Sequence, residues 1–122
     1  MISGRVVANQ GPVIPIVLRD SDGKEHSLTA VVDTGFTGWV TLPRSAISAL
    51  GLSCDEQTIA ILADGTSTLL DTYHVTMIWD NQPKEVLIDE LESEPLVGMR
   101  LLDGFRLVVD AIDGGPVRIE PL

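Results

Sequence analysis

The chain alternates short apolar runs with clusters of turn-forming residues from one end to the other. The runs are rich in Val, Ile and Leu, and many alternate apolar with polar positions, which is typical of half-buried β-strands. The strands that we predict span residues 4–8, 13–18, 25–32, 58–62, 69–79, 83–89, 96–98, 105–110 and 116–120. In the longest run, one face carries Tyr73, Val75, Met77 and Trp79. This pattern indicates a protein built mainly of strands.

Two segments have helical rather than strand character. Residues 43–51 begin with Pro43, which suits the start of a helix, and end with Gly51, which suits the position just after one. Residues 99–103 predict a single helical turn that Gly104 closes. Many short strands with two very short helices indicate an all-β barrel or sandwich.

Composition limits the kind of protein. The 122 residues are 44% hydrophobic and 21% charged, so we predict one globular domain over residues 1–122. A formal net charge of −10 would repel nucleic acid, which we do not expect as a partner. The chain lacks a long apolar stretch and a leader pattern at its start. We therefore expect no membrane partner and a cytoplasmic location.

The potential metal ligands are sparse. Cys54 is the one cysteine, so neither an intrachain disulfide nor a cysteine-based zinc site can form. His26 and His74 are far apart in the sequence and form no HExxH-type pair. We expect no metal and no cofactor.

One carboxylate interrupts the apolar pattern. Residues 30–32 are apolar, Asp33 follows on a turn marked by Gly35 and Gly38, and a second apolar run ends at Leu42. A carboxylate in such surroundings is paired with another group, caps the turn through its own side chain, or takes part in chemistry.

Three motifs together resemble a known family. Asp33-Thr34-Gly35, within VVDTGFTGWVTLP, resembles the active-site signature of retropepsin-like aspartic peptidases, in particular of their small predicted bacterial members. Ala63-Asp64-Gly65-Thr66 lies where that family carries the tip of a flap hairpin. Residues 96–98, with the apolar turn after them, resemble the segment that packs behind the catalytic loop. The resemblance covers roughly residues 4–120 and implies a retropepsin-like closed β-barrel, the acid protease fold.

The resemblance also implies an activity. It points to an aspartic endopeptidase that hydrolyses a peptide or protein substrate with water as the nucleophile. This chemistry needs two carboxylates that share one proton, one acting as the base on water and the other as the acid. Because the chain contains one Asp-Thr-Gly, the resemblance implies a homodimer in which Asp33 of each chain lies at the two-fold axis.

Roles for the neighbouring residues follow from the resemblance. Thr34 would hydrogen-bond across the axis to the partner's loop, and Gly35 would let the two backbones approach closely. The flap tip would bind an extended substrate through its backbone groups. The terminal strands are expected to pair in an interface sheet, around Val6 and residues 117–119. The site residues so implied are Asp33, Thr34 and Gly35 in the catalytic loop and Ala63, Asp64 and Gly65 in the flap.

Other functions fit the same residues. A catalytically silent protein of this fold would serve as a peptide-binding or dimerisation module. An unrelated β-barrel would carry Asp-Thr-Gly by chance, with Asp33 as a turn cap and residues 63–65 as an ordinary hairpin turn. We favour catalysis for Asp33 because the three motifs occur in the order of the family.

For several other residues we prefer a structural interpretation. Gly98 is predicted to be a packing glycine, and the acidic residues between 89 and 94 a solvated loop. The aromatic residues predicted to lie in the core or an interface are Trp39, Tyr73 and Trp79.

Overall fold

Strands make up most of the chain, as the alternating pattern predicts. The computed structural model describes residues 1–122. Its strands are β1 (Ile2–Val7), β2 (Gly11–Arg19), β3 (Glu25–Val32), β4 (Val40–Leu42), β5 (Glu56–Ile61), β6 (Ser67–Trp79), β7 (Gln82–Glu90), β8 (Leu96–Val97), β9 (Phe105–Val109) and β10 (Pro116–Pro121). The helices are α1 (Arg44–Leu50) and α2 (Met99–Leu102), and neither is long and apolar enough to cross a membrane. The predicted all-β fold with two short helices is confirmed.

Local sequence signals account for the ends of α1. Pro43 directly precedes the helix and has an extended backbone conformation. Because proline has no N–H, it leaves no backbone donor without a partner at the start of the helix. Gly51 follows it with a φ of 67°, and its N–H donates to the carbonyl of Ser48 at 3.0 Å. Glycine adopts this left-handed conformation without the steric cost of a side chain, so the helix stops there.

The first hairpin turns slightly earlier than the sequence predicts. Its turn comprises residues 8–10, with Asn9 in the left-handed region at a φ of 65°. Gly11 and Pro12, which lie between the predicted strands 4–8 and 13–18, belong to β2 and pair with β1. Asn tolerates the left-handed conformation that a tight turn requires, so the turn is complete before the glycine.

The ten strands form one sheet that closes on itself. Their order is β5-β6-β7-β4-β8-β3-β2-β1-β10-β9. A further antiparallel pairing joins β2 to β6, with Val17 opposite Ile78 and Leu18 opposite Met77. This pairing closes a ring of six strands: β6, β7, β4, β8, β3 and β2. The ring is the closed sheet that the family resemblance implied.

A single hydrophobic cluster of 20 buried residues fills the fold. The predicted face of β6 belongs to it, with Tyr73, Val75, Met77 and Trp79 all buried. Trp79 packs edge-on against Phe105, with the ring centroids 5.7 Å apart. Tyr73 and Trp79 are therefore core residues.

The terminal strands pair within the chain, which corrects one expectation. β1 lies between β2 and β10, and β10 lies between β1 and β9. Val117, for example, is opposite both Gly4 and Val109. The prediction that strands around Val6 and residues 117–119 offer their edges to an interface sheet is wrong, because both edges are already occupied. The strand at this edge of the sheet is β9.

Candidate active site

The loop after β3 presents the Asp33 carboxylate at the surface of the core. The backbone N–H of Asp33 donates to the carbonyl of Val97 at 2.9 Å, and the Phe36 N–H donates back to the Asp33 carbonyl at 3.1 Å. Oδ1 of Asp33 accepts the N–H of Gly35 at 2.9 Å. The residue is half-buried, between the buried strand end and the exposed turn. The backbone is thus fixed on both sides, and the carboxylate has one defined orientation.

This geometry bears on the two interpretations of Asp33. The bond from Gly35 is the turn-capping bond that the structural interpretation predicts. The same bond leaves Oδ2 of Asp33 available, and Asp33 lines a surface cavity together with Thr34, Leu96 and Leu107. Capping therefore orients the carboxylate and does not compete with a chemical role.

β8 lies directly behind the loop. It runs parallel to β3, with Val32 opposite Val97, and antiparallel to β4, with Val40 opposite the same Val97. The three residues after β8 each donate a backbone N–H to a carbonyl of the loop. Gly98 donates to Trp39 at 2.9 Å, Met99 donates to Phe36 at 2.8 Å, and Arg100 donates to Gly38 at 3.1 Å. The predicted packing of the 96–98 segment behind the catalytic loop is what the structure has.

Gly98 is required by the close approach of these backbones. A Cβ built on Gly98 would lie 2.3 Å from the carbonyl oxygen of Gly38 and 2.5 Å from Cδ2 of Phe36. Real Cβ atoms do not approach backbone atoms so closely, so a side chain here would push the loop out of place. The interpretation of Gly98 as a packing glycine agrees with this geometry.

Thr34 and Gly35 form the exposed tip of the loop. Both residues are exposed, and the Thr34 hydroxyl makes no hydrogen bond within the chain. A Cβ on Gly35 would lie 3.3 Å from Oδ1 of Asp33, closer than most such contacts. A tip of this kind is open to a second chain, and the roles assigned to Thr34 and Gly35 across a two-fold axis stay predictions.

The hairpin of β5 and β6 carries the predicted flap tip. Gly65 has a φ of 85°, and the Leu62 N–H closes the turn by donating to the Thr66 carbonyl at 2.7 Å. Oδ1 of Asp64 accepts both the hydroxyl and the N–H of Thr66, at 2.7 and 2.9 Å. These bonds, that of the hydroxyl above all, lower the pKa of the Asp64 carboxyl. The Asp64 side chain thus serves the turn itself.

A cavity of about 590 Å³ separates this hairpin from the loop that carries Asp33. Residues 35–39 line one side, residues 58–61 of β5 line the other, and Leu87, Asp89 and Arg100 complete it. The structure therefore places the strand before the flap tip opposite the loop. The tip residues themselves, Ala63, Asp64 and Gly65, line no cavity of the single chain.

Trp39 is half-buried, packs against the core cluster and lines this cavity. Two cations lie over its ring, with Nζ of Lys84 5.3 Å and the guanidinium carbon of Arg100 5.4 Å from the ring centroid. Trp39 also lines a neighbouring cavity of about 440 Å³ with Thr37 and Met99. It differs in this respect from Tyr73 and Trp79.

Asp89 lies in a strand rather than in a solvated loop. We predicted that it ends the strand over residues 83–89, but we also grouped it with the acidic residues up to 94 as a solvated loop. Asp89 and Glu90 belong to β7, and their side chains accept hydrogen bonds from Thr72 and Tyr73. The alternation of side chains along β7 indicates where Asp89 lies. Val86 and Ile88 are buried on one face, and Leu87 shares the opposite face with Asp89. That face lines the cavity.

The two histidines take part in separate surface pairs. His26 Nε2 contacts Asp20 at 2.7 Å, and His74 Nδ1 contacts Asp55 at 2.8 Å. Each histidine lowers the pKa of its partner carboxyl, His26 mainly through its side chain and His74 mainly through its backbone N–H. No three side chains of His, Cys, Asp or Glu are grouped so that they could hold a metal ion.

Comparison with known proteins found a solved structure of the same fold. No family model and no curated protein matches the chain. The chain is similar to a retropepsin-like aspartic protease from Rickettsia conorii, known from its crystal structure, with a TM-score of 0.52 and 15% sequence identity. The match covers 98% of this chain and 90% of that one. The chain therefore has a retropepsin-like fold over nearly its whole length.

Proposed function

We propose that the protein is an aspartic endopeptidase, active as a homodimer in which Asp33 of each chain forms the catalytic pair. The observation that carries this proposal is the position of Asp33. A fold shared with an aspartic protease places the carboxylate at the end of a buried strand, oriented by the Gly35 N–H and open to a cavity. A carboxylate so oriented is prepared for acid–base work.

The reaction follows from two such carboxylates side by side. They hold one proton between them, because two negative charges at such short range are unfavourable. The ionised member takes a proton from water, which attacks the peptide carbonyl. The protonated member donates a hydrogen bond to the carbonyl oxygen, and the pair then protonates the leaving nitrogen.

The substrate would lie in the cavity between the loop and the hairpin, which Gly35 lines next to Asp33 and which is separate from the cavity that Asp33 itself lines. An extended peptide there would run beside β5, whose Ile59 and Ile61 side chains are exposed. The hairpin tip at Ala63, Asp64 and Gly65 would close over the peptide as a flap.

The test compares the wild type with Asp33→Asn. Both are sized by sedimentation and incubated with a mixed peptide library between about pH 4 and pH 7, which includes the acidic conditions that a shared proton favours. We expect a wild-type dimer that cuts and a dimeric variant whose turnover is lower by at least about 1,000-fold. Asp71→Asn makes the same change on β6, where the carboxylate accepts from Gln57 at 3.0 Å and lines no cavity, and should leave cleavage intact.

Three results would contradict the proposal in different ways. A wild type that is monomeric at every concentration cannot form the pair. A dimer that binds peptides but cuts none would indicate the silent peptide-binding module instead. Activity that persists unchanged to strongly alkaline pH would exclude a shared proton.

A further inference from the structure

A carboxylate that the proposed reaction does not use lies in the cavity between the loop and the hairpin, whereas Asp33 lines a different cavity. Asp89 belongs to β7, opposite Thr72 in the β6–β7 register. Oδ1 of Asp89 accepts the Thr72 hydroxyl at 3.1 Å, and the hydroxyls of Thr72 and Thr58 lie 3.1 Å apart. One oxygen of the carboxylate is therefore held by the base of the hairpin.

The other oxygen faces the catalytic loop. Oδ2 of Asp89 would lie 3.5 Å from a Cβ built on Gly38, and the Phe36 ring atoms Cζ and Cε1 would lie 2.5 and 2.7 Å from the same position. Gly38 and Asp89 both line the 590 Å³ cavity, together with Leu87. A side chain at position 38 would therefore overlap the Phe36 ring beside the carboxylate.

Asp89 has no cation of its own. None of the six ion pairs in the chain includes it. Arg100, the one basic residue on the same cavity, lies against the Trp39 ring instead. Burial raises the pKa of the Asp89 carboxyl, and the hydrogen bonds from Thr72 and Thr58 offset only part of that effect. A half-buried carboxylate in this state gains most from a cation that a ligand brings.

We propose that Asp89 binds the basic side chain of a lysine or arginine in an extended peptide, and so selects a basic residue at one substrate position. The inference rests on the proposed function in one respect, that the peptide lies in this cavity. The apolar stem of such a side chain would pack beside Leu87 while its charged end reaches Oδ2. The net charge of −10 favours the approach of a cationic peptide.

The experiment measures binding separately from cleavage. The probes are peptides of one sequence in which a lysine, or a norleucine as its uncharged analogue, is placed at each position in turn. Affinity is measured by calorimetry on dimeric Asp33→Asn protein, which keeps the peptides intact. We expect lysine to bind at least about tenfold more tightly than norleucine at one position.

Two further substitutions on that background make the result specific. Asp89→Asn keeps an oxygen for Thr72 and should reduce the lysine preference to within about twofold. Asp71→Asn removes one charge from the neighbouring strand and should keep the preference. Asp89→Lys should make glutamate the preferred residue at the same position, a reversal that a purely structural role for Asp89 would not produce. Denaturant unfolding shows whether each variant is folded.

The outcomes separate this inference from the proposed function. Equal affinity for lysine and norleucine at every position overturns the inference, as does a lysine preference that survives Asp89→Asn, or no binding of any peptide. Cleavage by the wild type without any basic preference leaves the endopeptidase standing and removes the role of Asp89. A lysine preference that depends on Asp89, in a wild type that never cuts, leaves the role of Asp89 standing and removes the endopeptidase.

Discussion

The Asp33 loop and the β5–β6 hairpin face each other across one cavity, yet they are held in opposite ways. The loop is bound by backbone hydrogen bonds to β8 and to residues 98–100 after it, and its neighbours Val40 and Val97 are fully buried. The hairpin extends away from the core, and Ile59 and Ile61 of β5 are 73% and 79% exposed.

The difference fits the roles that we propose for the two segments. The acid–base chemistry proposed for Asp33 needs accurate placement, and strands that are packed and hydrogen-bonded on both sides supply that accuracy. The hairpin instead leaves apolar side chains without partners in the single chain, which costs stability and offers the surface on which we propose that a peptide binds.

The largest expected effect on stability is directly behind the loop, at Gly98. Gly98→Ala should lower the free energy of unfolding by at least about 3 kcal/mol, because its Cβ would overlap the Gly38 carbonyl. Urea denaturation measures it. The control is Gly23→Ala, where φ is 82° but no atom lies within 4 Å, so backbone strain alone should cost about 1 kcal/mol. If Gly98→Ala cost no more than the control, the close packing behind the loop would not limit stability.

A smaller effect on stability is expected at Tyr73, where β6 of the hairpin enters the core. The hydroxyl of Tyr73 donates to Oε1 of Glu90 at 2.7 Å, and this bond, with burial, raises the pKa of Tyr73 to about 12. The free energy that the neutral hydroxyl contributes is present below about pH 10 and is lost as the pH rises through about 12. We expect Tyr73→Phe to lower stability by about 1 kcal/mol at neutral pH.

The titration can be observed directly. Tyr73 is the one tyrosine of the chain, so the absorbance of tyrosinate reports on it alone. The folded protein should titrate near pH 12 and the denatured chain near pH 10. A folded titration that starts below pH 10 would show that the hydrogen bond to Glu90 is not formed.

The smallest effect on stability is expected in the hairpin, at Ile61. Ile61→Ala should change the free energy of unfolding by less than about 0.5 kcal/mol, because the side chain is exposed. The matched control, Ile88→Ala, empties a fully buried position and should cost about 2 to 5 kcal/mol. Ile61→Ala should nonetheless reduce kcat/KM severalfold in the peptide assay. An unchanged kcat/KM would mean that β5 does not contact the substrate.

Sequence reasoning succeeded where short stretches determine the structure. The apolar run into Asp33, the glycine that ends α1 at Gly51, and the alternation of β6 are all local patterns, and each was confirmed. The order of the Asp33, Asp64 and Gly98 motifs also led to the retropepsin-like fold, which the match to a solved structure supports.

Sequence reasoning failed where the structure depends on which strands, distant from each other in the sequence, are neighbours in the sheet. The occupied edges of β1 and β10 follow from pairings that join the two ends of the chain. The position of Asp89 depends on the β6–β7 register, which sets it opposite Thr72, and on the parallel pairing of β7 with β4, which brings it near Gly38. The local sequence pattern determines neither of these long-range strand registers.

The central claim is that Asp33 acts as a pair across two chains, and mixing tests it most directly. Wild-type and Asp33→Asn chains are combined at constant total concentration, allowed to exchange subunits, and assayed on the cleaved peptide. If both carboxylates are needed, activity falls with the square of the wild-type fraction, so an equal mixture keeps about a quarter of the wild-type activity. An equal mixture that keeps about half would show that each chain acts alone, and would contradict the claim.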